Sequence, residues 1–293
     1  MTIDAAHLAR TRCTLGEGPI WHDDALWFVD IEARTLCRWH EGDLASFDAT
    51  QRIGFATPTA QGDWIVGLQE GLARWSPGEA APRVFARPEP GKTDNRFNDG
   101  KADPTGRLYA GTMHMPAEEP MGTLYRLDDA TPIPVISSVT ISNGLAWHTP
   151  ARSMYYIDTP TRRITRFDWS PDSGDITSPS TVIEFDPELG SPDGMTIDAA
   201  GNLYVAMWGG SAVQIVDPRT GSITGTIRVD APHVTSCAFG GPDLTTLFIT
   251  TARVGLSPSQ LETHPRSGDL FAAIVPGAQG LPTTLVGGKE RLP

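Results

Sequence analysis

The sequence predicts an all-β protein, a six-bladed β-propeller with four-stranded antiparallel blades around a central channel. Six hydrophobic segments rich in β-branched and aromatic residues begin at positions 26, 64, 108, 154, 203 and 247, and each predicts a buried strand. The shortest interval between starts is 38 residues (26 to 64) and the longest is 49 (154 to 203), close to the length of a four-stranded propeller blade. Nowhere do apolar residues recur with a helical period over a dozen positions, so no long helix is expected.

Each repeat is expected to contain four strands. A shorter strand and a turn of Asp, Gly, Asn or Pro residues precede the hydrophobic segment, and a third strand follows it, as in residues 36–39. A fourth strand follows in most repeats, for example in residues 182–185. Because exposed sheet edges invite aggregation, the ring is expected to close, with a strand near residues 7–13 pairing with the strands after Asp269. Residues 1–293 are therefore predicted to form a single domain.

The charge composition excludes several classes of partner. The chain carries 23 Lys and Arg residues against 35 Asp and Glu residues, a net charge of −12. Nucleic acids and anionic membranes are bound mainly through Lys and Arg, so neither is an expected partner. We see no signal peptide and no apolar run of the roughly 20 residues that a membrane-spanning helix needs, which predicts a soluble, cytoplasmic protein. Cys13, Cys37 and Cys237 lack a Cys-x-x-Cys spacing and are expected to be reduced, buried thiols.

The first strand of each predicted blade lines the channel, so its polar side chains converge there although they are far apart in sequence. Four of the six first strands place an acidic or amide residue directly before glycine: Glu17, Asp99, Asn143 and Asp193. These residues precede the next hydrophobic strand by similar distances and are expected at similar heights in the channel. The glycines allow close packing around the axis and permit a bulge. The second and sixth first strands, residues 53–57 and 235–239, offer no charged group.

Converging carboxylates without a cation would repel one another, so the pattern indicates a metal site. Carboxylate and amide oxygens suit Ca²⁺, Mg²⁺ or Mn²⁺, whereas a small ligand set with free positions is also typical of catalytic zinc or iron. We therefore expect one divalent metal ion, Ca²⁺, Zn²⁺, Mn²⁺, Mg²⁺ or Fe²⁺. The alternative is that each Asn-Gly or Asp-Gly pair is an ordinary hairpin turn. Recurrence in phase with the repeat favours the metal site.

Residues 95–113, Asn-Arg-Phe-Asn-Asp-Gly-Lys-Ala-Asp-Pro-Thr-Gly-Arg-Leu-Tyr-Ala-Gly-Thr-Met, closely resemble the regucalcin (senescence marker protein) and gluconolactonase family. Residues 15–21, 141–147, 191–198 and 235–241 share that resemblance. It implies a six-bladed propeller that hydrolyses a sugar lactone, an aldonolactone, with one divalent metal. It also implies that Glu17, Asn143 and Asp193 hold the metal and that Arg96 and Asn98 contact the sugar.

One segment departs from the family pattern. Animal members place an acidic substrate contact soon after the Gly-Thr-Met, where this chain reads His-Met-Pro-Ala-Glu-Glu-Pro from His114. Glu118 or Glu119 could fill that role from a shifted loop, or His114 could replace it. Trp208 could stack on a sugar or cover the channel entrance, and Lys101 is interpreted as a solvated charge.

Lactone hydrolysis needs a polarised carbonyl, an attacking water and a proton acceptor. Asp193 is the expected general base, with Arg96 and Asn98 positioning sugar hydroxyls and the developing oxyanion. Activation of the water by the metal itself is the alternative. Two other functions stay open: hydrolysis of aryl lactones or phosphotriesters on the same scaffold, and calcium binding by a regulator without catalytic activity.

Overall fold

A computed structural model describes residues 1–287, which are almost entirely β-strand and turn. The first strands are β1 (Thr2–Asp4), β2 (Ala6–Ala9), β3 (Gly16–His22), β4 (Ala25–Asp30), β5 (Thr35–His40), β6 (Asp43–Asp48), β7 (Ile53–Pro58), β8 (Trp64–Leu68), β9 (Leu72–Trp75), β10 (Arg83–Ala86), β11 (Asn95–Ala102) and β12 (Leu108–His114). The remaining strands are β13 (Gly122–Asp128), β14 (Thr131–Val139), β15 (Ser142–His148), β16 (Ser153–Asp158), β17 (Arg163–Trp169), β18 (Ile176–Glu184), β19 (Ser191–Ile197), β20 (Leu203–Trp208), β21 (Ala212–Asp217), β22 (Ser222–Arg228), β23 (His233–Gly240), β24 (Thr246–Ala252) and β25 (Leu270–Ile274).

Helical structure is confined to short segments. The one α-helix within residues 1–287 is α1 (Pro258–Thr263), which begins with a capping box between Ser257 and Gln260. Three single-turn 3₁₀ helices span Thr149–Ala151, Thr159–Thr161 and Pro187–Leu189. No helix in the described part of the chain is long and apolar enough to cross a membrane.

The strands form five hydrogen-bonded sheets. Four are the expected four-stranded antiparallel units, β3–β6, β7–β10, β11–β14 and β15–β18. The fifth has nine strands and contains two further units, β19–β22 with β1 at its edge and β23–β25 with β2 at its edge. A single backbone pair, Trp208 with His233, joins these two units. The expected separation into six sheets is therefore not observed, because that pair continues the hydrogen bonding from one unit to the next.

Six strands surround the channel. Strand β3 packs beside β7, β7 beside β11, β11 beside β15, β15 beside β19, β19 beside β23, and β23 beside β3. This closed series is named the inner ring, and it consists of the predicted first strands. Hydrophobic cores lie between neighbouring sheets; one of them brings Val29 and Leu36 against Val66 and Trp75.

The chain ends meet as the sequence predicts. Strand β2 pairs antiparallel with β25, and His7 Nε2 lies 2.9 Å from Asp269 Oδ2. Strand β1 adds in parallel to β22, so one edge departs from the expected antiparallel pattern. Near the other terminus, residues 279–286 cross the channel end and bond to the turns at Ala199 and Pro58.

The three cysteines are free and buried, as expected. Burial raises the pKa of each thiol, and that of Cys237 reaches about 12. Such thiols stay protonated and unreactive at neutral pH.

Candidate functional site

Every strand of the inner ring contains a bulge at about the same level. The pairing with the second strand of each unit shifts between Glu17 and Ile20, Ile53 and Phe55, Phe97 and Gly100, Asn143 and Leu145, Pro192 and Met195, and Val234 and Ser236. A bulged residue leaves the hydrogen-bonded ladder and can turn its side chain toward the axis. The unpaired positions include Asn98, Asp99 and Asp193, so the bulges place polar groups in the channel.

Glu17 and Asp193 form the acidic centre of this site. Asp193 is only 6% exposed, Glu17 is half-buried, and each of the two carboxyl groups affects the pKa of the other. Burial raises the pKa of Asp193 well above its usual range, and the charges of Glu17 and Asp99 raise it further. Burial likewise raises the pKa of Glu17, to about 8, with Asp99 adding to the effect. Without a cation, the raised pKa values disfavour ionisation of both carboxyl groups at once.

Asn143 connects the acidic centre to the neighbouring strands. Its Nδ2 donates to Thr159 Oγ1 at 2.8 Å, and Thr159 Oγ1 donates to the carbonyl of Pro192 at 2.8 Å. Its Oδ1 accepts from Asn98 Nδ2 at 3.0 Å, and its side chain also contacts Asp193. The amide oxygen keeps a second lone pair for another partner.

Arg96 and Asn98 lie beside this amide. Both are 7% exposed, and Arg96 Nη1 donates to Asn98 Oδ1 at 2.6 Å and to the carbonyl of Phe97 at 3.0 Å. Burial lowers the pKa of Arg96 to about 10, while the charges of Glu32 and Glu17 act in the opposite direction. All hydrogen bonds that Arg96 makes within residues 1–287 come from Nη1. Its remaining donors are therefore available to a ligand.

Asp99 lies in the same bulge as Asn98 but lines a different compartment. Below the acidic centre, the channel widens into a cavity of about 140 Å³ whose walls include Asp99, Lys101 and Ser236. Residues 281–284 also line it, and Thr283 Oγ1 donates to the carbonyl of Trp21 at 2.6 Å. The sequence predicts Asp99 at the same height as the other three polar residues. Asp99 has the expected position in its strand, but its side chain lines this cavity and theirs do not.

The structure corrects the interpretation of Lys101 as a solvated charge. Lys101 Nζ donates to the carbonyls of Leu145 and Met195 at 2.9 and 2.8 Å, and burial lowers its pKa. It therefore ties β11 to β15 and β19, and it offers a positive charge near Asp99.

The candidates for the displaced acidic contact lie at the end of β12 and in the loop after it, outside the inner ring. Glu118 and Glu119 are exposed on the loop after β12. His114 pairs with Asn95, and directly opposed residues share a face of the sheet, so His114 lies on the opposite face from Arg96. Within residues 1–287, the buried His114 Nδ1 has no hydrogen-bond partner.

Sequence reasoning missed an ion pair at the channel rim. Arg52 Nη2 lies 3.0 Å from Glu32 Oε2, directly before the inner strand that itself has no charged residue. Neither residue belongs to the phased polar-glycine pattern, so the sequence contains no signal for the pair. Trp208, the other residue left open, stacks on His233 with ring centroids 3.9 Å apart.

The donor set fits a divalent cation. Glu17, Asn143 and Asp193 offer two carboxylates and an amide oxygen, the ligand chemistry of hard metal ions. No group of three His, Cys, Asp or Glu side chains in residues 1–287 is placed to hold a metal by itself. A cation here would therefore depend on Asn143 as well as on the two carboxylates.

Comparisons with known proteins identify the family and the fold. Residues 15–253 match the model of the family described as SMP-30/Gluconolactonase/LRE-like region. YvrE of Bacillus subtilis (strain 168), whose name proposes a sugar lactone lactonase, is 38% identical over 284 residues, covering 92% of this chain and 94% of YvrE. Regucalcin of Sus scrofa is 36% identical over 289 residues, covering 93% of this chain and 95% of that protein. The solved structure of a calcium-binding protein, regucalcin, from Agrobacterium tumefaciens strain C58 has a TM-score of 0.92 at 25% identity and covers 98% of both chains.

Proposed function

Because the chain belongs to the SMP-30/Gluconolactonase/LRE-like family, we propose that it hydrolyses a sugar lactone to the corresponding aldonic acid. The observation that carries this proposal is the placement of Glu17, Asn143 and Asp193 on strands of the inner ring, with Asn98 bonded to both Asn143 and Arg96. Candidate substrates are gluconolactone and galactonolactone and the pentonolactones xylonolactone and arabinonolactone.

We propose that Glu17, Asn143 and Asp193 hold one divalent metal ion. The raised pKa values of both carboxyls support this, because a cation would stabilise the charged form that burial and Asp99 disfavour. Ca²⁺, Zn²⁺, Mn²⁺, Mg²⁺ and Fe²⁺ are the candidates. When bound, such an ion supplies Lewis acidity toward the lactone carbonyl.

The side chains of this site would divide the reaction among them. Arg96 and Asn98 bind the sugar and stabilise negative charge that develops on the carbonyl oxygen. Asp193 accepts a proton from the attacking water as the water oxygen bonds to the carbonyl carbon. That proton passes to the ring oxygen when the bond between this oxygen and the carbonyl carbon breaks.

We also propose a six-bladed architecture and a cytoplasmic location for the protein. We count the two units of the nine-stranded sheet as separate blades, which makes six blades in a single domain. The six-strand inner ring and the one-pair junction at Trp208 support this count. A cytoplasmic location agrees with the three free cysteines.

The decisive experiment is lactone hydrolysis by chelated protein, restored metal by metal, on the four sugar lactones. Glu17→Ala and Asp193→Ala should each abolish metal-dependent turnover while the β circular-dichroism signal persists. Asp168→Ala, which removes an exposed carboxylate on β17, is the matched control and should keep full activity. Activity of either site variant above the spontaneous hydrolysis rate would contradict the proposal.

A second candidate function is calcium binding without turnover, which the description of the Agrobacterium relative as a calcium-binding protein favours. Tight calcium binding with no hydrolysis of any lactone would support it. Including an aryl ester and a phosphotriester in the same panel tests the remaining hydrolase alternative.

A further inference from the structure

We propose that Glu32 determines substrate specificity, accepting hydrogen bonds from hydroxyl groups of a sugar lactone bound beside Arg96, and that Arg52 positions it. This inference rests on the proposed lactonase function. Glu32 lies outside the polar-glycine pattern. It would provide the acidic sugar contact from the first sheet instead of the loop after β12.

Glu32 lies at the same end of the first sheet as the acidic centre. In the ladder between β3 and β4, Glu17 is opposite Val29 and Gly16 is opposite Asp30. The chain therefore leaves β4 at the level of Glu17, and Glu32 follows two residues later. The Glu32 side chain is 31% exposed, so a ligand at the rim can reach it.

Arg52 fixes the Glu32 carboxylate through two nitrogen atoms. Arg52 Nε donates to Glu32 Oε1 and Oε2 at 3.0 and 3.1 Å, and Nη2 donates to Oε2 at 3.0 Å. Paired contacts of this kind fix geometry as well as charge. Arg52 Nη1 also donates to Gln69 Oε1 at 3.3 Å. The pair is thereby attached to the second sheet as well as the first.

The Arg52 guanidinium also contacts a residue that is bonded to the segment just before β11, the strand that carries Arg96. Arg52 Nη1 lies 3.9 Å from Met115 Sδ, and the Met115 backbone N–H donates to the carbonyl of Asp94 at 2.8 Å. Asp94 is two residues before Arg96. Of the surrounding carboxylates, Glu32 also exerts the strongest charge effect on the Arg96 guanidinium. Glu32 and Arg96 are therefore close enough to interact electrostatically, and Arg52 and Met115 link the segments that carry them.

The two groups have complementary chemistry toward a polyhydroxylated ligand. A sugar hydroxyl both donates and accepts, so one hydroxyl can donate to Glu32 while another group accepts from Arg96. Arg52 already neutralises part of the Glu32 charge, and the carboxylate keeps lone pairs for further donors. Recognition by a paired acceptor and donor discriminates among lactones that differ in hydroxyl position.

The test compares Glu32→Gln, Arg52→Met and the control Glu184→Gln on the sugar lactone that the wild-type protein hydrolyses fastest. Glu184 forms a 2.8 Å ion pair with Arg163 on exposed strands, so its variant also removes one carboxylate from an ion pair. For Glu32→Gln we expect KM to rise about tenfold or more with kcat nearly unchanged, since a hydrogen bond to a charged group is lost. Arg52→Met should raise KM less, and Glu184→Gln should change nothing.

The loss in kcat/KM for Glu32→Gln should also differ among the four sugar lactones, whereas a merely structural role would lower all four equally. Glu32→Asp, which keeps the carboxylate, should recover part of the loss. An unchanged KM in Glu32→Gln, or an equal loss on all four lactones, overturns the inference. Those results require an active wild-type protein, so they are distinct from failure of the proposed function, in which the wild type hydrolyses none of the lactones.

Discussion

At the scale of single residues, the charge balance of the site depends on the coupled carboxyl groups of Glu17 and Asp193. Burial and the nearby charge of Asp99 raise both pKa values, so chelated protein holds protons that the unfolded chain releases. For an acid whose folded pKa is raised, stability is lost as pH rises from the usual value of 4.5 for Glu17 toward about 8. The metal-free fold is therefore expected to weaken across this interval.

Replacement of Asp193 by Asn should remove most of this penalty. We expect chelated Asp193→Asn to be more stable than chelated wild-type protein by about 1–4 kcal/mol at pH 8, and by less at pH 5. Thermal unfolding at the two pH values measures the difference. Adding a divalent metal should stabilise the wild type and should have much less effect on the variant. A chelated variant that is less stable than the wild type at pH 8 would contradict this account of the site.

Single residues also show where sequence reasoning stops. Glu17, Asn143 and Asp193 are detectable because each precedes a glycine in phase with the repeat, and the fold brings them together. Lys101 and Arg52 have no such phase, and an isolated lysine or arginine in a sequence is usually solvated. Their partners are backbone carbonyls of two other sheets and the carboxylate of Glu32, and only the three-dimensional arrangement brings these groups into contact.

At the scale of elements, the bulges of the inner ring connect strand packing to the site. The polar-glycine pairs suggest that bulges are permitted, but sequence alone does not show that all six inner strands shift register at the same level. The second inner strand, β7, is an example of what the sequence alone does not show. Its lack of charge is evident from the sequence, whereas its close packing against β11 depends on the glycine at position 54.

Gly54→Ala should damage the site although it removes no polar group. A Cβ at this position would lie 2.6 Å from the Asn98 carbonyl oxygen and even closer to that of Phe97. Backbone atoms cannot move aside cheaply, so β11 would be pushed out with Arg96 and Asn98. We expect a loss of about 1–3 kcal/mol in unfolding free energy and at least about tenfold in kcat/KM.

Gly225→Ala on the outer strand β22 is the matched control for Gly54→Ala. Its nearest neighbour would be Ile215 Cδ1 at 3.1 Å, the flexible end of a side chain. Urea unfolding and lactone hydrolysis should show a much smaller effect for this variant. Equal effects of the two alanines would show that close packing at Gly54 does not position β11.

At the scale of the whole molecule, the repeat length and strand composition make the architecture predictable, because each unit must bury its hydrophobic segment against the next. The antiparallel closure of β2 on β25 is also predictable, because an exposed sheet edge must be covered. The parallel addition of β1, through three residue pairs, and the merging of two units through the single pair Trp208 and His233 are not, since both depend on local backbone contacts.

Closure of the ring should depend on β2 more than on β1. Strand β2 covers the edge of β25 and packs Leu8 against the core between the last and first units, next to β3, which carries Glu17. Deleting residues 1–4 removes β1, the surface pair between Asp4 and Arg228, and the half-buried Ile3 side chain that packs against one core. Deleting residues 1–9 also exposes an unpaired edge and removes the hydrogen bond between His7 and Asp269.

We therefore expect the deletion of residues 1–9 to lower the unfolding free energy by at least about 2 kcal/mol more than the deletion of residues 1–4, because a leucine leaves the core. The longer deletion should also promote association, visible by size-exclusion chromatography, since the edge of β25 can pair with another chain. Lactone hydrolysis should fall with it, because the ring can open between β23 and β3 and displace Glu17. If both deletions unfold at the same urea concentration and keep the same activity, the N-terminal strand β2 does not hold the ring closed, and the packing of the inner strands alone maintains the site.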